Sequence, residues 1–280
     1  MELSNYHSHC DYCDGRAPMQ QFVQAAIDAG FRAYGVSSHS PLPFPAACAM
    51  PAERVEEYIA EIQQLKRERA NQIELYAGME IDYINDDFGP ANDYFQALPL
   101  DYRIGAIHYV AHPATGQLMD VDGPPDRFAN ALDSLFQGDI HAVIDAYYDA
   151  SHRMIARGGF DFIAHPDKIA MNAERVDPGV TRTPHYRHRI EAYLEDIAAR
   201  RLMIEINTKA YHSLGALFPH QEHLQRLREL RVPVIVNSDA HYPHAVNDGR
   251  PEAINLLKTA GFRHLTCLSK GEWITVDIDH

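Results

Sequence analysis

Six short apolar runs in this chain end in residues whose side chains bind metal ions. The first ends in His7-Ser8-His9, the second in Ser37-Ser38-His39 and the third at Met79-Glu80. Two more end at Ile107-His108 and Ala164-His165, and the last ends in Asn237-Ser238-Asp239-Ala240-His241. One histidine after a strand is weak evidence, but six such ends are hard to explain by packing. Residues i and i+2 of a strand point to one face, with Cα atoms roughly 7 Å apart. His7 and His9 can therefore reach one ion, although two separately hydrogen-bonded histidines would show the same spacing. Asp239 and His241 repeat that geometry with a carboxylate. Glu80 ends an apolar run, where an unpaired charge is costly. A metal would supply the opposite charge there, as would a nearby Arg or Lys. Mixed imidazole and carboxylate donors suit Zn²⁺, Mn²⁺ or Fe²⁺ better than Mg²⁺ or Ca²⁺. The donors are too many for one tetrahedral ion. Several ions sharing a carboxylate or hydroxide suit phosphate-ester hydrolysis.

These donors need a scaffold that brings the ends of separate strands together. Runs rich in apolar and β-branched residues predict strands over 3–6, 33–36, 73–79, 102–107, 160–164, 203–206 and 232–236. Helical periodicity fills the gaps. Pro18 opens one helix and Gly30 closes it, and Pro51 opens another with Val55, Tyr58, Ile59, Ile62 and Leu65 on one face. Further helices are expected over 126–136, 140–157, 185–200, 221–230 and 251–260, and a small hairpin over 265–268 with 273–276. Strand and helix alternate about seven times, which specifies α/β architecture with a parallel sheet, closed as a barrel or open and doubly wound. The length fits a closed barrel formed by one domain, residues 1–280. In such folds ligands bind at the carboxyl ends of the strands, where the donors fall.

Composition excludes other classes. A formal charge of −14 argues against a duplex-DNA or RNA groove and against an anionic membrane surface. No stretch reaches the roughly 20 apolar residues of a membrane span, and the opening residues carry no signal-peptide pattern. Four cysteines are too few for a disulfide scaffold, so a cytoplasmic setting is expected. Cys10 and Cys13 form a lone CxxC, for which redox or zinc work is the less favoured reading.

The runs His7-Ser8-His9, Tyr12-Cys13-Asp14-Gly15 and Ser37-Ser38-His39-Ser40-Pro41-Leu42-Pro43 resemble the PHP (polymerase and histidinol phosphatase) superfamily. More narrowly, they look like its monofunctional histidinol-phosphate phosphatases. Glu80, His108, His165, Glu205-Ile206-Asn207-Thr208 and Ser238-Asp239-Ala240-His241 continue the match in order, over nearly the whole chain. The resemblance implies a distorted seven-stranded (β/α) barrel and three divalent ions (Zn, Mn or Fe). One ion would take His7, His9, Glu80 and Asp239; a second would share Glu80 and add His108 and His165. The third would take Asp14, His39 and His241, although many members of the superfamily carry His where this chain has Asp14. A hydroxide bridging two ions, held by Glu80 and Asp239, would attack phosphorus with no phosphorylated protein intermediate. The expected reaction is hydrolysis of L-histidinol phosphate to L-histidinol and phosphate.

Basic residues on the same face would clamp the phosphate: Lys209 first, then Arg16, then Lys168. Glu205, Asp167 and Asn207 are candidate acceptors for the ammonium and imidazole of the substrate. A metal-bound water or His244 would protonate the leaving alkoxide. His212, His220 and His223 read as surface residues, and His112, His141, His152, His185, His188, His264 and His280 show no partner pattern. Two alternatives stand beside this reading. One is a phosphodiesterase, or a phosphatase of another small ester or nucleotide. The other is a non-catalytic metal-binding module.

Overall fold

The computed structural model describes residues 3–279. Eight strands form two parallel sheets beneath outer helices. The first sheet runs β1 (Leu3–Asn5), β2 (Phe31–Val36) and β3 (Glu74–Ala77). The second contains β4 (Glu80–Asp82), β5 (Ile104–Ala106), β8 (Phe162–Ile163), β9 (Met203–Asn207) and β10 (Val234–Asn237), in spatial order β10-β9-β8-β5-β4. Two antiparallel hairpins complete the strands: β6 (Tyr109–Ala111) with β7 (Leu118–Asp120), and β11 (His264–Ser269) with β12 (Glu272–Asp277). The helices are α1 (Met19–Asp28), α2 (Val55–Glu68), α3 (Asp93–Ala97), α4 (Pro125–Phe136) and α5 (Ile140–Arg157). They continue with α6 (Ile169–Val176), α7 (Pro184–Ala199), α8 (Tyr211–Leu214), α9 (Leu224–Glu229) and α10 (Arg250–Thr259). No helix among the described residues is long and apolar enough to cross a membrane.

Both seams between the sheets are stitched by single parallel bridges. Ser8 pairs with Ala240 beside β1 and β10, and His39 pairs with Glu80 between β2 and β4. The His9 N–H donates to the Ala240 carbonyl at 2.9 Å, and the Ser40 N–H to the Glu80 carbonyl at 2.8 Å. Candidate donor residues thus sit on the backbone that joins the sheets.

The run expected as one strand over 73–79 is two. β3 pairs with β2, the chain steps at Gly78-Met79, and Glu80 begins β4 against β5. The cause is a wedge of aromatic volume. Tyr102 is fully buried, and its hydroxyl donates to the Tyr6 carbonyl at 2.6 Å. A Cβ at Gly78 would lie 2.2 Å from the Tyr102 ring, and one at Gly35 would lie 2.1 Å from its hydroxyl. Gly78→Ala should therefore cost about 2–3 kcal/mol by overpacking, read as a fall in Tm of several degrees; an unchanged melt would show that the ring yields freely.

Tyr6, Tyr76, Tyr102 and Phe162 pack with the β11–β12 hairpin toward the amino ends of the strands. The Leu268 N–H donates to the Tyr6 hydroxyl at 2.9 Å, and the Trp273 indole donates to Asp161 at 3.0 Å. The hairpin turn falls at Lys270-Gly271, both at positive φ (51° and 81°), the conformation that two-residue hairpins need. This floor supports the opposite, polar end. The short β6–β7 hairpin and helices α3, α6 and α8 were not expected from the sequence, because segments of three to eight residues carry too little periodicity.

Candidate metal centre

The donor residues do converge. His7 and His9 follow β1, His108 follows β5, His165 follows β8, and Asp239 follows β10. His7, His9, Glu80, His165 and Asp239 are at most 2% exposed. His165 and Asp239 hold positive φ, 24° and 49°, a conformation that L residues with side chains rarely adopt. Such backbone persists where the surroundings over-determine it, typically at functional sites. For Asp239 those surroundings include Asn5, whose Nδ2 donates to Ser238 Oγ at 2.8 Å and whose Oδ1 accepts from the Ser238 N–H at 3.1 Å.

Glu80 is the hub, and its two oxygens face different imidazoles. Oε2 lies 3.1 Å from His7 Nε2, 3.5 Å from His9 Nε2 and 3.0 Å from His39 Nδ1. Oε1 lies 2.9 Å from His165 Nε2 and 3.6 Å from His108 Nε2. Asp239 Oδ1 stands 3.1 Å from His9 Nε2, and Asp14 Oδ1 stands 3.2 Å from His241 Nε2 and 3.8 Å from His39 Nε2. Three- and four-residue donor groups form within this cluster: His9 with Asp14, His39 and His241; His7 with His165 and Asp239; His7 with His9 and Glu80; His39 with Glu80 and His108.

The electrostatics describe a cluster in need of positive charge. Burial alone would raise the Glu80 carboxyl, yet His7, His39 and His108 hold it well below its ordinary range. Burial opposes charge on His7, but Glu205, Glu80 and Asp239 push it well above the usual imidazole value. His108 is likewise pushed up to about 10, against burial, by Asp82 and Glu80. His9 goes the other way, lowered by burial and by His241 and His39. Meanwhile His7 Nε2, His9 Nε2, His39 Nδ1, Glu80 Oε2 and Asp14 Oδ1 are buried without a hydrogen-bond partner. Buried polar atoms are normally satisfied. Lone pairs converging in this way fit divalent ions with nitrogen and oxygen ligands.

Behind the donors lies a second layer that orients them. Glu205 is fully buried and accepts from His7 Nδ1 at 2.6 Å, the His165 N–H at 3.2 Å, Asn207 Nδ2 at 2.6 Å and Asn237 Nδ2 at 3.0 Å. Asp82 accepts from His108 Nδ1 at 2.9 Å, and the Asp239 carbonyl accepts from His241 Nδ1 at 3.0 Å. Glu205 and Asn207, read from the sequence as acceptors for a substrate, are instead spent on the imidazole network. Cys13 Sγ lies 3.4 Å from His9 Nδ1 and Cys10 Sγ lies 3.3 Å from Ser38 Oγ; both cysteines are free thiols.

The cluster opens into a pocket of about 870 Å³. Lys209 lines it, with Nζ 3.3 Å from Asp239 Oδ1 and 3.4 Å from His241 Nε2. Arg16 lines it too, exposed at the rim. Lys168 does not. It is 3% exposed, pairs with Asp122 at 3.1 Å and sits over the Phe218 ring at 4.9 Å, so it meets the pocket only through Asp122. His244 is exposed against Tyr242, outside the pocket lining, and Asp167 lines a separate cavity. Sequence reasoning missed the wall formed by Phe44, Tyr109, Asp120, Asp122 and Arg127. Phe44 and Tyr109 meet edge to face at 5.1 Å. The only sequence signal for that wall was Gly116, at φ 70°, in the turn of the β6–β7 hairpin. None of the remaining histidines joins a donor group among the described residues, and His280 lies outside them.

A family model described as "PHP domain" matches residues 5–209. A Deinococcus radiodurans protein named "Probable histidinol-phosphatase" is 27% identical, over 94% of this chain and 96% of its own. The "Histidinol-phosphatase" of Bacillus subtilis is 23% identical, over 86% of this chain and 94% of its own. A Lactococcus lactis histidinol phosphate phosphatase, solved with zinc, L-histidinol and phosphate, superposes with a TM-score of 0.74 at 21% identity, covering 98% of this chain and 99% of that one.

Proposed function

This chain belongs to the PHP domain family, and from that premise we infer that it is a metal-dependent histidinol-phosphatase, cleaving L-histidinol phosphate to L-histidinol and phosphate. The observation that carries this is Glu80, one buried carboxylate whose two oxygens serve two separate imidazole sets. That arrangement fits a carboxylate shared between ions. The relatives that the chain matches along nearly their whole length are named for this reaction.

We assign three divalent ions of the Zn, Mn or Fe type. His7, His9, Glu80 and Asp239 would hold one, Glu80 with His108 and His165 a second, and Asp14, His39 and His241 a third. Such ions supply Lewis-acid charge and lower the pKa of water to near neutrality. The residues of the chain do the rest. Glu80 and Asp239 hold the donors in one electrostatic unit. Lys209, on the pocket wall beside Asp239, attracts the phosphate dianion, and Arg16 guards the entrance. Burial opposes charge on Lys209, but Asp239, Asp122 and Glu80 raise its pKa, so it stays cationic. Asp120 and Asp122 face the ammonium and imidazole of the leaving alcohol, and the Phe44–Tyr109 pair offers them an aromatic wall. Counting β3 and β4 as one stepped strand, we also read the two sheets as one distorted seven-stranded barrel and the chain as one domain, since the Ser8–Ala240 and His39–Glu80 bridges join the sheets on both sides.

The test is a substrate panel with protein reloaded with Mn²⁺, Zn²⁺ or Fe²⁺. Histidinol phosphate should be turned over with far higher kcat/KM than a generic aryl phosphate or an aryl diester. Activity on the diester alone would refute a monoesterase. In the same panel Lys209→Ala should raise KM for histidinol phosphate about tenfold or more, the worth of a charge-assisted hydrogen bond, with a smaller change in kcat. An unchanged KM would return Lys209 to a purely local role beside Asp239.

A further inference from the structure

A second cavity, of about 380 Å³, lies against α6 and the 214–223 segment and shares no lining residue with the metal-side pocket. Its walls are apolar at Ala170, Met171, Leu217 and Phe218. Asp167 lines it and is 1% exposed. One oxygen, Oδ2, accepts the His220 N–H at 2.7 Å, while Oδ1 has no partner. A buried carboxylate oxygen left unmatched is costly, and here it stands beside space large enough for a small molecule. Other charges of the lining do not answer it. Glu174 is spent on the Gly179 N–H and on Thr181, and Arg175 donates to Asn172 at 3.2 Å. Glu222 stands 3.7 Å from His220 Nδ1 and 3.5 Å from His223 Nε2, which also line the cavity, so Asp167 is the lining carboxylate left with a buried oxygen unmatched.

We propose that this cavity is a second ligand site, taking a small organic cation whose ammonium donates to Asp167 Oδ1 and whose apolar body packs on Met171, Leu217 and Phe218. The site has a physical route to the metal-side pocket. Phe218 carries Lys168 on its ring, and Lys168 holds Asp122, which lines the other pocket. The Lys168 N–H also donates to the His165 carbonyl at 3.0 Å.

Benzylamine, cationic at neutral pH, is a suitable probe. It should be titrated into the metal-loaded enzyme with orthophosphate saturating the metal side. One saturable site is expected, unaffected by orthophosphate, with benzyl alcohol binding at least tenfold more weakly. Asp167→Asn keeps an acceptor for the His220 N–H but removes the charge, and should weaken the amine at least tenfold. Ala170→Phe fills the cavity and should do the same. The Met171 methyl resonance of the wild type should shift on amine binding, a readout that needs no variant to fold. Absence of saturable binding, competition by orthophosphate, or unaltered affinity in folded Asp167→Asn and Ala170→Phe would each overturn the proposal.

Discussion

Glu80→Gln should lower kcat on histidinol phosphate by about four orders of magnitude or more, while the protein still folds. That loss corresponds to about 5 kcal/mol of transition-state stabilisation, the scale set by removing a central catalytic group elsewhere. The size follows from geometry. Both oxygens of Glu80 are engaged, by His7, His9 and His39 on one side and by His108 and His165 on the other. Glutamine keeps one oxygen, replaces the other by an N–H₂ with no free lone pair, and removes the negative charge on which all five imidazoles converge. One imidazole set therefore loses its shared ligand. Metal content measured on the purified variant should fall by at least one ion per chain. A variant that retained full metal content and near-normal turnover would show that Glu80 is a structural carboxylate and that the ligand assignment is wrong.

Glu205→Gln is the second large effect, and it acts without touching substrate. Four donors converge on this carboxylate, two on each oxygen. An amide nitrogen at Oε2 would face His7 Nδ1 and Asn237. His7 could then accept only by carrying its proton on Nε2, the nitrogen that points at Glu80 and would bind metal. An amide nitrogen at Oε1 would face the His165 N–H and Asn207. Rotating the Asn207 amide would break its acceptance of the Lys209 N–H at 3.0 Å. Every orientation leaves donor against donor in a fully buried place. Metal affinity should fall about 10–100-fold, as for other partners that orient metal-bound histidines, and Tm should fall with it. Wild-type affinity in a calorimetric metal titration would show that the network tolerates a flipped tautomer.

Much of the centre is legible in the sequence, for a definite reason. His7, His9, His39, His108, His165, Asp239 and His241 sit just past strands whose apolar character is plain, and parallel strands present those ends on one face. What was misplaced or missed lacked such a marker. Glu80 was legible as a donor but not in its place: it looks like the end of one strand and is the start of another, because the step at Gly78 is dictated by a ring, Tyr102, more than twenty positions away. Glu205 lies inside a fully buried strand, where only its partners distinguish an orienting carboxylate from a substrate acceptor. Lys168 reads as a free cation until Asp122 is placed beside it. The Phe44, Tyr109 and Asp120 wall is built from a loop and three-residue strands, whose positions depend on tertiary contact alone.

The seam beside β1 carries a further consequence, in time instead of space. Asn5 and Ser238, which fix the two ends of the donor cluster, are separated by 233 positions. At a synthesis rate of about 5–20 residues per second, tens of seconds pass between the emergence of His7 and that of Asp239. Throughout that interval the early histidines have no partner carboxylate from the tenth strand, and the Glu205 clamp on His7 arrives almost as late. The complete centre is therefore a product of the finished chain. A nascent or interrupted polypeptide lacks the full set of donors, which only closure of the seam completes.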